Sequence, residues 1–328
     1  MPQTMSVADP VHQLPADPAL AREAAELIDV LAACERRDEH SYEVVETRLE
    51  SMGAFLHAHE LPTEPSSLRS IRAWFHDATE PVLARGRLMS HARRWPRGYP
   101  GDFEMLEAVY ANEPTGQGLA RHLDRYFLSR TLAVAVRSRL RVLAGALAQR
   151  AREETGDAIW LNLACGPCRE LVEIPPPTRT RAVHCIDLDS AALDCARAVV
   201  DGAPVGEVHF DRLDATQLVD SRAVVSRFGT PTTIYSAGLF DYIRTPVLVP
   251  MIAALYGSLS RGGVLIAPFK DASRYDTFDY HWVVRWHHFF QRREDELRSI
   301  FADAGIPRDA VSMRRDDTGV ILLFTAKK

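Results

Sequence analysis

From Ile159 onward the chain alternates two textures. Short apolar runs, "AIWLNLACG", "RAVHCIDLD", "GEVHFDRLD", "TTIYSAG" and "GGVLIAPF", each enter a loop or a helix. Between them lie helical patterns such as "SAALDCARAVV" and "TPVLVPMIAALYGSLS". Strands that alternate with helices are joined by crossovers, so they form βαβ units and a parallel sheet covered on both faces. The last stretch, "AVSMRRDDTGVILLFTAKK", carries two strand-like runs around "DDTG" and predicts an antiparallel hairpin at the sheet edge. The fold class is therefore α/β, doubly wound, over residues 151–328.

The first half has a different period. "ALAREAAELIDVLAACERR" and "SYEVVETRLESMGAFLHAH" place apolar residues three and four apart, the mark of amphipathic helices. The pattern resumes after "ELPTEPSS", with a kink expected before Pro81, and continues in "FEMLEAVYAN" and the long "LARHLDRYFLSRTLAVAVRSRLRVLAGALAQRARE". An all-α domain is expected over 19–150, behind a flexible tail at 1–18. One stretch breaks the helical run: "WPRGYPGDFEML", Trp95 to Leu106, holds two prolines and two glycines. Both residue types weaken helix, so this segment should follow a non-helical path.

Composition narrows the function. With 328 residues, 46% hydrophobic and 25% charged, the chain suits about two soluble domains. A net charge of −5, with basic residues scattered, argues against a nucleic-acid partner. No apolar run approaches a membrane span, and the N-terminus lacks a secretion signal, so a cytoplasmic protein is expected. The oligomeric state stays open, a homodimer included. Five cysteines and no export signal argue for reduced thiols. "CGPC" is formally a C-x-x-C, but a zinc site wants a second close ligand pair. Cys185 and Cys195 are far apart in the sequence, and small side chains packed near a tight turn are the simpler reading.

In doubly wound sheets, ligands bind at the carboxyl ends of the strands. "LNLACGPCRE" is the turn after the first strand: Ala164 and Gly166 permit close backbone approach, with a helix expected from about Pro167. It lacks the G-x-G-x-x-G of a dinucleotide site. The second strand ends in "CIDLDS", where Asp187 suits two ribose hydroxyls and Asp189 suits a helix cap. The third ends in "DRLDAT", placing Asp214 and Ala215 where an adenine edge would lie.

Taken together, "LNLACGPCRE", "CIDLD", "RLDAT" and "IYSAGLFDYI" resemble a class I S-adenosylmethionine-dependent methyltransferase. "GYPGDFEMLEAVY", "RYFLSRTLAVAVRSR" and "HWVVRW" with "RREDELRSIF" resemble the subgroup that includes makers of 3-hydroxy fatty acid methyl esters. The resemblance covers the chain from Trp95 to the end. It implies a Rossmann-like methyltransferase sheet and S-adenosyl-L-methionine as cofactor. Ala164, Cys165 and Gly166 would run along the methionine, Asp187 with Leu188 would meet the ribose, and Asp214 with Ala215 the adenine. Ser236 and Ala237 would lie beside the sulfonium. Two positions depart from the wider pattern: Asn162 stands where an acid is common, and Thr232 where an acid often opens the fourth strand. Backbone carbonyls and Glu170 are the alternatives for neutralising the methionine ammonium. Arg137 or Arg139 would reach the cofactor carboxylate, with Arg137 favoured by the subgroup's "AVRxR" pattern.

For the acceptor, a carboxylate is ionised at neutral pH and needs a guide rather than a base. Arg285 and Arg125 are candidates for that charge-assisted bond. An amine or hydroxyl acceptor would instead want a base such as Asp102, Asp241 or a histidine. His281, His287 and His288 sit close in sequence, but no acid completes a metal-ligand spacing, so no metal is expected. Trp282 and its aromatic neighbours read either as core or as an acceptor wall. Trp95, Phe103, Phe240 and Tyr242 join Trp282 and Arg125 as acceptor-binding candidates. Tyr99, Asp102 and Arg285 are the catalytic candidates. The helical domain would be a lid that sets acceptor specificity. The expected activity is methylation of a small molecule, by preference at a carboxyl oxygen. N- or O-methylation of an amino-acid-like or aromatic intermediate is the alternative. A non-catalytic sensor of the cofactor is the reading outside enzymes.

Overall fold

A computed structural model describes residues 17–36, 38–60, 63, 65–177, 180–286 and 289–328. The expected tail lies outside the described residues up to residue 16. The chain forms two compact units. One comprises residues 1–96, 114–127 and 277–286; the other comprises 97–113, 128–276 and 287–328.

The helical unit holds α1 (Pro18–Ala32), α2 (Glu39–Glu60), α3 (Pro65–Leu83) and α4 (Arg87–Arg94). Asp17 caps α1 by accepting from the Ala19 N–H at 2.7 Å, and Pro18 takes the first-turn position where a missing N–H costs nothing. The apolar stripe Leu20, Ala24, Leu27 and Leu31 is buried, as are Val45, Leu49, Met52 and Leu56 of α2. This is the three-and-four spacing read from the sequence. Helix α3 runs through Pro81 to Leu83, and the chain breaks at Gly86 instead. After α5 (Phe103–Ala111), which belongs to the sheet unit, comes α6 (Leu119–Ser129). Its Asp124 accepts from the Leu88 N–H at 2.9 Å and so supplies the cap that Gly86 lacks. Within this unit the buried Arg93 guanidinium bonds Glu80 and the Val283 carbonyl, both at 2.7 Å.

The sheet unit contains α7 (Thr131–Glu153) and seven strands: β1 (Ala158–Leu163), β2 (Arg181–Asp187), β3 (Glu207–Arg212), β4 (Thr233–Tyr235), β5 (Val264–Lys270), β6 (Val311–Arg315) and β7 (Ile321–Lys327). Their order is β3-β2-β1-β4-β5-β7-β6. The first five pair in parallel, while β7 runs antiparallel to both β5 and β6. This is the expected doubly wound, Rossmann-like sheet with an antiparallel C-terminal hairpin. Residues of β1 alternate between two cores. Leu161 and Leu163 join Phe240, Leu255, Phe269 and Phe301 on one face. Trp160 joins Leu143 and Leu147 of α7, with Val183 and Cys185, on the other. Burial of each such leucine stabilises the fold by roughly 2 kcal/mol. Helices α8 (Ser190–Val200), α9 (Ser221–Phe228), α10 (Thr245–Ser258) and α11 (Glu294–Asp303) complete the layers.

The two units do not follow the sequence boundary at residue 150. Helix α7 packs its apolar face on the sheet, because Leu143, Leu147 and Ala151 belong to the core around Trp160. Residues 97–113 also belong to the sheet unit, whereas 277–286, within the expected methyltransferase half, fold with the helices.

Candidate active site

The site is built at the carboxyl ends of β1, β2 and β4. After β1 the backbone takes positive φ at Ala164 (48°), Gly166 (53°) and Cys168 (55°). Only glycine does this without strain, so two non-glycine residues are held there by their surroundings. Those surroundings are on β2: the Cys165 N–H donates to the Ile186 carbonyl, and the Gly166 N–H to Asp187 Oδ2, each at 3.0 Å. The other Asp187 oxygen accepts from the Asp189 N–H at 3.0 Å. Asp187 thus binds the β1 turn to the β2 turn. Burial pushes its carboxyl above the ordinary aspartate value, against the pull of those backbone donors. The helix expected from Pro167 is a single 3-10 turn, Arg169–Leu171. The left-handed residue Cys168 stands immediately before that turn, and "IPPP" ends the segment soon after it.

Three cysteines pack beneath this turn. Cys168 Sγ lies 3.6 Å from Cys185 Sγ and 3.8 Å from the Cys165 carbonyl oxygen. The sheet therefore brings Cys185 to the C-x-x-C, which its distance in sequence concealed. Among the described residues no group of three acids, histidines or cysteines has the geometry to hold a metal ion. His287 and His288 lie outside the described residues, and His281 faces Arg72 at 3.3 Å.

Next to the cysteines stands a buried acid. Glu170 Oε1 accepts from Asn162 Nδ2 at 2.8 Å and from the Tyr235 hydroxyl at 3.2 Å. Burial pushes the Glu170 carboxyl up to about 7. Asn162 gives its amide N–H to this acid, while its buried Oδ1 has no hydrogen-bond partner among the described residues. Across the strand ends lies a buried cation, Arg139 on α7, whose Nε likewise has no partner. A Cβ built on Gly238 would come within 2.6 Å of its Nη1, so the glycine lets the loop after β4 lie close against this guanidinium. Tyr110 shares a side-chain hydrogen bond with Arg139 and feels the Glu170 charge. Arg137, by contrast, donates Nη2 to the Leu128 carbonyl at 3.0 Å. The arginine at the end of β4 is Arg139, not Arg137.

Residues 97–106, which belong to the sheet unit, cross this end of the sheet. Arg97 Nε donates to Asp189 Oδ2 at 2.7 Å, and the Tyr99 hydroxyl donates to the same oxygen at 3.1 Å. Gly98 and Gly101 have φ of 84° and 70°. At Gly101 a Cβ would meet the Tyr242 hydroxyl at 2.8 Å. Residues 97–101 therefore run from the β2 turn to the turn after β4. Asp102 then caps α5, accepting from the Met105 N–H at 2.9 Å, and Phe103 lies under the Arg97 guanidinium at 5.4 Å. Burial, with the charges of Asp187 and Asp189, pushes the Tyr99 phenol far above its usual range. Tyr99 is a hydrogen-bond donor here and not a base.

Other candidates take more local roles. Asp214 caps the 3-10 turn Ala215–Gln217, accepting from the Thr216 N–H at 2.9 Å, and Ala215 is buried. Ser236 Oγ accepts from the Leu239 N–H at 3.1 Å, with Ala237 half-buried beside it. Leu188 is 59% exposed beyond Asp187. Phe240 is fully buried against Phe269 in the core of the sheet unit. Trp95, Arg125, Trp282 and Arg285 all belong to the helical unit. There Trp95 ends α4 with φ 48°, Arg125 pairs with Glu39 over the Tyr42 ring, and Trp282 is core beside Phe75. Arg285 has φ 54° and a buried Nε without a hydrogen-bond partner among the described residues. Three residues of the site, Arg97, Tyr110 and Lys270, were not singled out from sequence. Only Lys270, a cation closing an apolar strand, carries a local signal.

The chain is similar along its length to a Bordetella parapertussis protein labelled a possible exported protein. Identity is 17%, 95% of this chain and 99% of that one are covered, and the TM-score is 0.56, a likeness of fold. A partial likeness joins it to magnesium protoporphyrin IX methyltransferase from Synechocystis, with 13% identity, 74% and 99% covered, and a TM-score of 0.47. Another joins it to the 1,6-didemethyltoxoflavin-N1-methyltransferase of Burkholderia thailandensis, with 14% identity, 58% and 78% covered, and a TM-score of 0.41. No family model matches the chain, and no curated protein does.

Proposed function

We propose that the protein is an S-adenosylmethionine-dependent methyltransferase of small molecules that forms methyl esters. The observation that carries the reading is a pair of orphaned buried atoms at one end of the sheet. Among the described residues Asn162 Oδ1 lacks a donor and Arg139 Nε lacks an acceptor, and the β1 turn held by Asp187 lies between β2 and β4. An amino-acid zwitterion would answer both atoms, its ammonium at Asn162 and Glu170 and its carboxylate at Arg139. Asp187 accepts from the backbone N–H groups of Gly166, Asp189 and Leu188 and keeps acceptor capacity for a ribose hydroxyl. The residues present therefore fit the cofactor.

When bound, the cofactor supplies a methyl group already activated by a sulfonium: as the acceptor oxygen's lone pair forms the new C–O bond, the C–S pair stays on sulfur. No proton moves in the carboxylate case, so the chain needs no base at the acceptor. What its residues contribute is positioning and exclusion of water. Residues 97–101 cover the strand ends through Asp189 and Tyr242, and Tyr99 holds its proton while it donates to Asp189.

The test is incubation with methyl-labelled cofactor and a panel of fatty acids, aromatic acids and amino acids. Label that mild alkali releases as methanol identifies an ester. Label confined to amines, stable to alkali, would overturn the carboxyl assignment.

A further inference from the structure

The carboxyl end of β5 holds a buried ion pair that the reading above does not use. Lys270, 5% exposed, donates Nζ to Asp241 Oδ2 at 2.7 Å, and Asp241 is 2% exposed. The Phe289 and Tyr242 ring centroids lie 4.8 and 6.0 Å from Nζ. Tyr242 and Tyr275 each pack against Phe289, at 5.6 and 6.2 Å between centroids. The chain has three lysines, two of them the terminal Lys327 and Lys328; its other Lys/Arg cations are all arginine.

The choice of lysine has a physical consequence. An arginine here would match the Asp241 carboxylate with a planar two-pronged fork. A lysine ammonium carries three protons, and Asp241 takes one. Among the described residues the rings of Phe289 and Tyr242 also lie beside the ammonium. Nearby, Arg139 adds a second positive charge felt by both Lys270 and Tyr242. Buried Arg292 also lies in the field of Asp241, so with Arg139 answered by the cofactor carboxylate two cations, Lys270 and Arg292, still face one acid in a buried region, and a further negative charge suits the Lys270 side.

We propose that Lys270 seats the carboxylate of the methyl acceptor. Asp241 holds the ammonium in place, and the rings of Tyr242, Phe289 and Tyr275 take the apolar body of an aliphatic or aromatic acid. The assignment rests on the carboxyl-methylating function proposed above. Burial, reinforced by Arg139, holds the Lys270 ammonium below the usual lysine range, against the pull of Asp241. A carboxylate guest strengthens the charged form that this environment disfavours.

Replacing Lys270 alone strands the Asp241 charge and endangers folding, so the decisive variant is the double Lys270→Met/Asp241→Asn. Calorimetry on protein saturated with S-adenosylhomocysteine would titrate decanoate and benzoate, with decanamide and benzamide as uncharged counterparts. The expected result is about a ten- to hundredfold loss of affinity for the acids. Affinity for the amides and for S-adenosylhomocysteine should change less than about twofold, and turnover should show a raised KM with kcat little altered. A double variant that binds acids like the wild type, while the wild type esterifies them, would reduce the pair to a structural ion pair. Wild-type protein that methylates amines and no acid would overturn the carboxyl reading itself, a result seen before any variant is made.

Discussion

The Tyr99 hydroxyl donates to the Asp189 carboxylate at 3.1 Å, so a residue from the proline- and glycine-rich stretch is tied to the turn after β2. Arg97 bonds the same carboxylate, which also caps α8 by accepting from the Ala191 N–H. One acid thus anchors the strap that crosses the strand ends. The pair is partly open to solvent, so its contribution to stability is modest. Arg97→Ala should speed amide hydrogen exchange across residues 97–101 and weaken S-adenosylhomocysteine binding by about fivefold. Unchanged exchange would show that the strap is held elsewhere.

Asp187 carries more. It joins the β1 and β2 turns and keeps acceptor capacity for a ribose hydroxyl. Asp187→Ala should reduce S-adenosylhomocysteine affinity at least about thirtyfold, since a buried charged hydrogen-bonding group contributes about 2–3 kcal/mol. Titration calorimetry reads this directly. Affinity equal to the wild type would refute the strand-end assignment.

The two arginines of α7 separate cleanly. Arg139→Ala should weaken S-adenosylhomocysteine binding about tenfold or more, because its guanidinium lies on the Gly238 loop. Arg137→Ala should have an effect below about threefold, since that side chain bonds the Leu128 carbonyl. Methylthioadenosine lacks the amino-acid moiety and should bind the Arg139 variant as it binds the wild type. A loss for both ligands would mean that the substitution disturbs the fold.

Glu170 gives a pH signature. Its folded-state pKa, about 7, is raised above the ordinary 4.5 by burial. Its contribution to stability is therefore complete below about pH 4.5 and is lost as pH rises through about 7. Glu170→Gln keeps an acceptor for Asn162 and Tyr235 without the charge. The variant should be more stable than the wild type at pH 8, by on the order of 2–3 kcal/mol, and should lose less stability between pH 5 and 8. Thermal melts followed by circular dichroism test this; parallel curves for the two proteins would contradict it.

The thiols should differ in reactivity. Cys34, Cys165, Cys168 and Cys185 are buried, whereas Cys195 is half-buried on α8. Iodoacetamide should add one label to the native protein, at Cys195, and five after denaturation. Rapid native labelling of Cys168 or Cys185 would show that the turn after β1 opens.

Much of the fold was legible because it depends on local periodicity. The apolar runs from Ile159 become β1 to β5, and "DDTG" separates the strands of the C-terminal hairpin. Asp189 caps α8, as its place after the second strand suggested. The helix expected at Pro167 failed because the chain takes left-handed conformations at Ala164, Gly166 and Cys168, which apolar pattern does not encode. The aromatic residues of the site were harder. Trp282 reads either as core or as acceptor wall and Phe240 as an acceptor-binding residue, and both are fully buried.

The sequence by itself determined the strand–helix alternation, the antiparallel close of the sheet and the acid at the end of β2. Each follows from side-chain period or from a turn's local chemistry. Only the tertiary structure decided which charges meet: Arg97 with Asp189, Arg139 with the Gly238 loop, Lys270 with Asp241, and Cys168 with Cys185. The physical reason is that these partners lie 17 to 99 residues apart. Pairing over such separations is set by strand order and burial, and each residue's own neighbours carry no trace of it.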